Sequence, residues 1–319
     1  MNFKSKAGLI AGMSLGLVVA GCGDAENNEN NAPENDNANN VNNEENNNAD
    51  NGEEAAGDYG EELDYTITGI DAGAGIMSGA EQALEDYGLE DWSVQASSDA
   101  AMTQALADAY ENEEPIIVTG WTPHWKFSDF DLKFLEDPEL AFGEAEDIET
   151  FVRQDLQDEE PEAYEVLDNF NWEGEHMNEV MLEINEGADE NEAARNWVDD
   201  NEDLVSEWTD GVDEVDGGEI ELVLVAWDSE IASTNVVATV LEDIGYDVTL
   251  TPLEANQMFQ AVADGQADGM VAAWLPTTHD HLVEDFGDDL DSLGVNLEGA
   301  QTGFVVPEYM DIDSIEDLQ

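Results

Sequence analysis

The stretch Pro115-Ile-Ile-Val-Thr-Gly-Trp-Thr-Pro-His-Trp125 decides how this chain is read. Its apolar run, Pro115–Thr119, ends in Trp-x-Pro. That places a large, rigid ring at the carboxyl end of a strand, the edge at which α/β sheets receive ligands. A degenerate copy follows at Met270-Val-Ala-Ala-Trp-Leu-Pro-Thr-Thr-His279. Two such ends in one chain point to two similar lobes facing each other across a crevice lined with indoles. Indole faces attract cations without needing a counter-charge.

The pattern extends outward from the first copy. Tyr65–Ile70 reads as a strand, Asp71-Ala-Gly-Ala-Gly75 as a loop, and Ile76–Tyr87 as a helix stopped by Gly88. Trp92–Gln95 reads as a strand. Asp99–Tyr110 reads as a helix, with Met102, Leu106 and Ala109 at helical spacing. The second copy keeps this order: strand Ile220–Ala226, the turn Trp227-Asp-Ser229, helix Ile231–Ile244 stopped by Gly245, strand Asp247–Thr251, helix Ala255–Ala263 and strand Met270–Ala273. Leu84-Glu-Asp-Tyr-Gly88 matches Leu241-Glu-Asp-Ile-Gly245. This alternation predicts an α/β fold of two lobes, each a mostly parallel sheet flanked by helices. Between the copies, residues 139–214 read as mostly helical, through Phe151–Gln157, Glu162–Phe170, His176–Asn185 and Glu192–Trp208, with Trp172, Trp197 and Trp208 as packing residues. After Trp274 a short helical stretch leads to a strand at Gly303–Pro307 and a terminal helix at Ile315–Gln319.

The first 21 residues form a leader. Lys4 and Lys6 precede the apolar run Ala7–Val19 and the small residues Ala20-Gly21. Val19-Ala-Gly-Cys22 looks like a bacterial lipobox, so Cys22, the only cysteine, is expected to be lipidated and to tether the exported chain to the outer face of the cell membrane. Residues 22–62, rich in Asn, Glu, Asp, Ala and Gly, read as a disordered linker. Lobe one is expected over 63–170, lobe two over 171–305, and a C-terminal segment, 306–319, returns toward lobe one.

The formal charge is −74. Without the leader, Lys126, Lys133, Arg153 and Arg195 stand against 80 acids. Such a surface repels nucleic acid and anionic headgroups. Molar salt would screen its self-repulsion within about 3 Å, which suits a halophilic protein working in brine. A calcium store is the rival explanation, but no Asp-x-Asp-x-Asp-Gly loop is present.

Three features carry the chemistry. Trp121, Trp227 and Trp274 each follow a strand directly and are expected to converge in the crevice. Three indoles around one small volume suit a quaternary ammonium, each face contributing about 0.5–2 kcal/mol. The loop before Ile76 lets backbone approach a ligand, and the N–H groups of Gly75 and Ile76 open a helix, a ready carboxylate or phosphate site. Ser78 breaks the Gly-x-Gly-x-x-Gly dinucleotide pattern, and basic residues for a phosphate are missing nearby. A single carboxylate fits better. His279 offers a further hydrogen bond to that carboxylate. With His281 it forms a possible metal pair, but no third ligand stands out, so no metal and no cofactor are expected. His124 reads as a structural residue pinning its turn, with Trp125 packed behind it. A ligand with a methylated cation at one end and a carboxylate at the other is a betaine.

These residues also resemble a known family. Ile67-Thr-Gly-Ile-Asp-Ala-Gly-Ala-Gly-Ile76, Val118-Thr-Gly-Trp-Thr-Pro-His-Trp125 with Asp131-Leu-Lys-Phe-Leu-Glu-Asp-Pro138, Trp227-Asp-Ser-Glu-Ile-Ala-Ser-Thr234 and Ala273-Trp-Leu-Pro-Thr-Thr-His279 are similar to the glycine betaine-binding lipoproteins of ABC importers. The resemblance runs from Tyr65 to the C-terminus. It implies a two-lobed periplasmic-binding-protein fold, type II-like, with a hinged ligand cleft between the lobes. It also implies a Trp121, Trp227 and Trp274 cation cage, with Gly75, Ile76 and His279 on the carboxylate. The implied partners are glycine betaine and an ABC permease with its ATPase subunit, and the binding protein is expected to be a monomer. The family occurs in two circularly permuted orders, and here the Gly-Ile-Asp-Ala-Gly lobe comes first. Ala72 stands where Pro is expected and Lys126 where Met is common.

Proline betaine, carnitine, choline and ectoine remain alternative ligands, choline being disfavoured because it leaves the anion site empty. An enzyme is a poor alternative, since no Ser-His-Asp order, Gly-x-Ser-x-Gly elbow or metal set appears. A passive halophilic surface protein is the other rival.

Overall fold

The structure is a computed structural model and describes residues 59–319. The leader, Cys22 and all but the last four residues of the expected linker lie outside the described residues. Those last four form a short helix, α1 (Tyr59–Glu62). The chain continues through β1 (Thr66–Thr68), α2 (Gly75–Asp86), β2 (Ser93–Gln95), α3 (Asp99–Glu111), β3 (Val118–Thr122), α4 (Lys126–Asp129), β4 (Leu132–Phe134), β5 (Glu146–Arg153), α5 (Leu156–Glu159), α6 (Pro161–Asn169), α7 (Gly174–Asn185), α8 (Glu190–Asp200), α9 (Glu202–Trp208), β6 (Glu219–Leu224), α10 (Asp228–Asp243), β7 (Asp247–Pro252), α11 (Ala255–Ala263), β8 (Gly269–Leu275), α12 (Asp280–Phe286) and β9 (Leu290–Pro307). A 3₁₀ turn, Ile315–Leu318, follows near the C-terminus.

The strands run in the order β2-β1-β3-β9-β5-β8-β6-β7, with β4 added on β9. Each lobe has a parallel centre, β2-β1-β3 in one and β7-β6-β8 in the other. The remaining pairings, β3–β9, β4–β9, β5–β8 and β5–β9, are antiparallel, so the sheets are mixed rather than mostly parallel. The long strand β9 serves both lobes. Its residues Leu290–Ala300 pair with β5, and Gln301–Val305 pair with β3. Glu146–Arg153 thus packs with the second sheet.

Local chemistry accounts for the element ends. Ser98 caps α3 by accepting from the Ala101 N–H. Gly88 and Gly245 follow α2 and α10 at φ +66° and +113°, a region that side chains with a Cβ avoid. Two sequence expectations are corrected. Phe151–Gln157 is not a helix: its first half is β5, whose side chains alternate between the core and the outer face. The short helical stretch expected after Trp274 is present as α12, but the strand expected at Gly303–Pro307 begins far earlier, at Leu290.

Trp172, Trp197 and Trp208 pack together with Phe170 between α6, α7, α8 and α9. Trp208 meets Phe170 edge-on at 5.0 Å, and Trp197 meets Trp172 at 5.4 Å. Aromatic pairs of this kind add about 0.5–1.5 kcal/mol beyond the area they bury. Among the described residues, the few basic side chains are all placed against acids or inside the core. Lys133 reaches Asp313, Arg153 bridges Asp268 and Glu159, Arg195 bridges Asp199 and Asp243, and Lys126 is fully buried. No described helix is long and apolar enough to cross a membrane.

Candidate ligand-binding site

Trp121 ends β3, Trp227 caps α10 after β6, and Trp274 lies near the end of β8. All three are buried, and together with Ile70, Ile76, Thr278 and Thr302 they line one small cavity between the lobes. The peptides preceding Pro123 and Pro276, in the two Trp-x-Pro turns, are both cis. Trp121 and Trp227 lie 6.4 Å apart by ring centroid, tilted by 52°. The open volume among the rings is about 20 Å³, so they are drawn nearly together.

Polar bonds across the cleft hold the indoles in place. The Trp121 N–H donates to Ser229 Oγ at 3.3 Å, and the Trp227 N–H donates to Asp71 Oδ2 at 3.2 Å. Each bond joins one lobe to the other. The Trp274 indole N–H, in contrast, has no partner. Asp71, Ser229, Thr278 and Thr302 were not singled out as site residues from sequence. Asp71, Ser229 and Thr278 do lie inside quoted motifs, but their contacts depend on how the lobes meet.

A second cavity of about 210 Å³ adjoins the first through Ile76, Thr278 and Thr302, and is also lined by Gly75, Phe142 and His281. Gly75 opens α2, and its cap residue Ala74 provides no side-chain acceptor. The Met77 N–H closes onto the Ala74 carbonyl at 3.0 Å, while the N–H groups of Gly75 and Ile76, at the cavity wall, have no acceptor within the helix. The turn carrying Thr278 is fixed by Glu146, which accepts from the N–H groups of Thr277 and Thr278 at 2.9 and 2.6 Å and from Thr278 Oγ1 at 2.6 Å.

His279 is fully buried behind the cage. Its ring lies nearly parallel to Trp227 at 6.3 Å, and its Nδ1 accepts from the backbone N–H of Trp274 at 3.0 Å. Burial, then the neighbouring His281, pushes its pKa down to about 3, so the ring is neutral and the proton sits on Nε2. That Nε2 has no partner. His279 lines neither cavity, and His281 is exposed, so the two do not form a joint cation site.

His124, Asp99 and Asp228 meet behind Trp121. His124 Nε2 stands 3.5 Å from Asp99 Oδ1 and 3.9 Å from Asp228 Oδ2, and Nδ1 accepts from the Lys126 N–H. Trp125 donates its indole N–H to Asp228. Burial, and then Lys126, pushes His124 down to about 4, against the pull of Asp99. Lys126 already supplies the positive charge of this cluster, so it reads as an internal charge group rather than a metal centre.

Glu230 on α10 is also buried. One oxygen accepts from the Val225 N–H at 2.8 Å and the other has no partner. Burial pushes its pKa up to about 8, against the opposing hydrogen bond. The folded protein therefore binds this proton more tightly than the unfolded chain. The resulting stability is complete below about 4.5 and is lost as pH rises through about 8. Glu230→Gln should remove that slope, about 1.4 kcal/mol per pH unit at most, in a comparison of denaturation midpoints at pH 5 and 8. An unchanged difference between the two midpoints would reject the assignment.

Comparison with known proteins gives a consistent picture. A family model described as the substrate-binding domain of ABC-type glycine betaine transport systems matches residues 36–200 and 218–319. The glycine betaine/carnitine transport binding protein GbuC of Listeria monocytogenes is 55% identical over 261 residues, 81% of this chain and 87% of that protein. Among solved structures, lactococcal OpuAC in its closed-liganded conformation with glycine betaine is 42% identical, with a TM-score of 0.43, over 47% of this chain and 59% of that one. The glycine/betaine/L-proline-binding protein ProX of Borrelia burgdorferi is 33% identical, also at 0.43, over 47% of this chain and 57% of that one. Each of these two alignments spans less than two thirds of the solved chain.

Proposed function

The chain belongs to the substrate-binding domain family of ABC-type glycine betaine transport systems, and on that premise we propose that it captures glycine betaine outside the cell in a cage of Trp121, Trp227 and Trp274 and delivers it to an ABC permease. One observation carries the reading. The three indoles come from different parts of the chain and both lobes, yet line one cavity. A trimethylammonium group cannot donate hydrogen bonds, and its spread charge suits ring faces. The adjoining cavity, with the start of α2 on its wall, takes the carboxylate through the N–H groups of Gly75 and Ile76. His279 supports that end through its unpartnered Nε2–H, reaching the ligand once the lobes part enough to admit it. Contacts from both lobes favour closure, because only the closed state satisfies all of them.

Carnitine is the second reading. The cage is narrow, but the adjoining cavity of about 210 Å³ has room for a longer acid arm. A thermal-shift panel of glycine betaine, proline betaine, carnitine, choline and ectoine separates the candidates. At a hundredfold excess over Kd a bound ligand stabilises by about 2.7 kcal/mol, which raises Tm by roughly 5–10 °C in a protein of this size. Glycine betaine should give the largest shift and choline little, because it lacks the carboxylate. No shift with any member would reject the proposal and leave a passive surface protein.

The remaining parts of the reading follow from the sequence. The leader directs export, Cys22 carries the lipid that tethers the chain to the membrane, residues 22–58 act as a spacer, and the protein works as a monomer. With β5 in the second sheet, we place the lobe boundary near residue 145, and again where β9 crosses between the sheets near residue 300. A charge of −74 makes the fold a halophilic one. Its Tm should rise steadily from about 50 mM to molar salt as self-repulsion is screened. A salt-independent Tm would show that the acids are already neutralised by some other means.

A further inference from the structure

Lys126 is the most unusual side chain near the cage. It opens α4, is fully buried, and its ammonium has no hydrogen-bond partner. The nitrogen lies 4.0 Å from the centroid of the Trp121 ring. Lys126 does not line the cavity among the three indoles, whereas Trp121 does. The ring that the lysine sits over is therefore also one that borders the ligand space. The charged groups facing the lysine are Asp99 from α3 and Asp228 from α10, with neutral His124 beside them.

A π face shared by two cations serves each of them less well. The lysine draws ring density toward itself and leaves less for a second cation, and two positive charges on one ring repel. We propose that Lys126 is an affinity-tuning residue of the betaine site, whose ammonium over the Trp121 ring weakens that ring's grip on a cationic ligand, so that removing the charge tightens binding. The inference rests on the cage reading above and adds a control element to it.

Burial pushes the lysine down to about 7, although Asp99 and Asp228 pull the other way. Its charge is therefore lost within an accessible pH range. Linkage fixes the sign: a ligand cation favours the deprotonated lysine, so affinity rises as pH rises through about 7. His124 and His279, pushed down to about 4 and 3, stay neutral across that range. Glu230, at about 8, titrates in the same range, and Asp228 beside the lysine is pushed up by burial and by Asp99.

The test is calorimetric titration of the whole protein with glycine betaine at pH 6 and pH 9, for wild type, Lys126→Met and Glu230→Gln. Lys126→Met should bind about three- to tenfold more tightly than wild type at pH 6, and the two should converge at pH 9. Glu230→Gln should keep the wild-type profile. Equal or weaker binding by folded Lys126→Met at pH 6 overturns the proposal. So does a flat wild-type profile, or a profile that Glu230→Gln abolishes. If Lys126→Met does not fold, the wild-type and Glu230→Gln profiles decide. Wild type that binds no betaine at any pH would instead remove the cage reading on which this inference stands, a result distinct from binding that ignores pH.

Discussion

Trp274→Ala should lose binding of glycine betaine by about ten- to a hundredfold while the protein still folds. Truncating a buried aromatic anchor at a recognition site costs about 2 kcal/mol or more, and each ring face around a desolvated cation contributes up to about 2 kcal/mol. Trp274 gives the cleanest test because its indole N–H has no partner. Removing the ring leaves no acceptor stranded. Trp121→Ala and Trp227→Ala would also strip Ser229 and Asp71 of their donors across the cleft, so their losses mix cage with closure. Trp274→Phe keeps an aromatic face and should recover much of the affinity, although a phenyl ring is a weaker cation partner than indole. Calorimetry on the two variants, with far-UV circular dichroism to confirm folding, gives the ranking. Wild-type affinity in Trp274→Ala would remove the cage.

The strands that carry these rings were legible because each ends an apolar run in a motif with strong local chemistry. β3, β6 and β8 lie close to their expected positions, and α2 and α10, which follow β1 and β6, stop at Gly88 and Gly245 in positive φ. β5 was hidden. In Glu146-Asp-Ile-Glu-Thr-Phe-Val-Arg153 the apolar residues Ile148, Phe151 and Val152 fit helical spacing, and only pairing on both edges, with β8 and β9, selects the strand. β9 was hidden because Gly294 and Gly299, both at positive φ, interrupt the strand pattern although the strand bends through them. At the site the ring positions could be read along the chain. The partners that hold them could not, because Ser229, Asp71 and Glu146 act across sequence separations of more than a hundred residues. Lys126 stood out only as a departure from a motif, and its place on the ring face became visible with the fold.

The closed cleft sets up the second large effect, at Gly75. A Cβ built there would sit 2.2 Å from the Thr278 carbonyl oxygen and 2.6 Å from its methyl group. Gly75 begins α2 in one lobe, and Thr278 belongs to the turn after β8 in the other. The Thr278 backbone cannot yield easily, because Glu146 grips its N–H and hydroxyl together. The backbone at Gly75 needs no positive φ, so alanine is tolerated within α2 itself and should improve it slightly. The cost therefore falls on closure alone. Gly75→Ala should fold with a ligand-free Tm within a few degrees of wild type, yet bind glycine betaine at least tenfold more weakly, since overpacking a rigid contact costs about 1–3 kcal/mol and only the closed state makes it. Gly73 supplies the control: a Cβ there meets nothing within 4 Å, so Gly73→Ala should bind as wild type does. Calorimetry with small-angle scattering follows both parts, with Gly75→Ala staying extended on addition of betaine while Gly73→Ala contracts. Equal affinity and equal contraction in the two variants would mean that binding does not bring Gly75 against Thr278, and that the ligand is held without the approach of the lobes on which the carboxylate site depends.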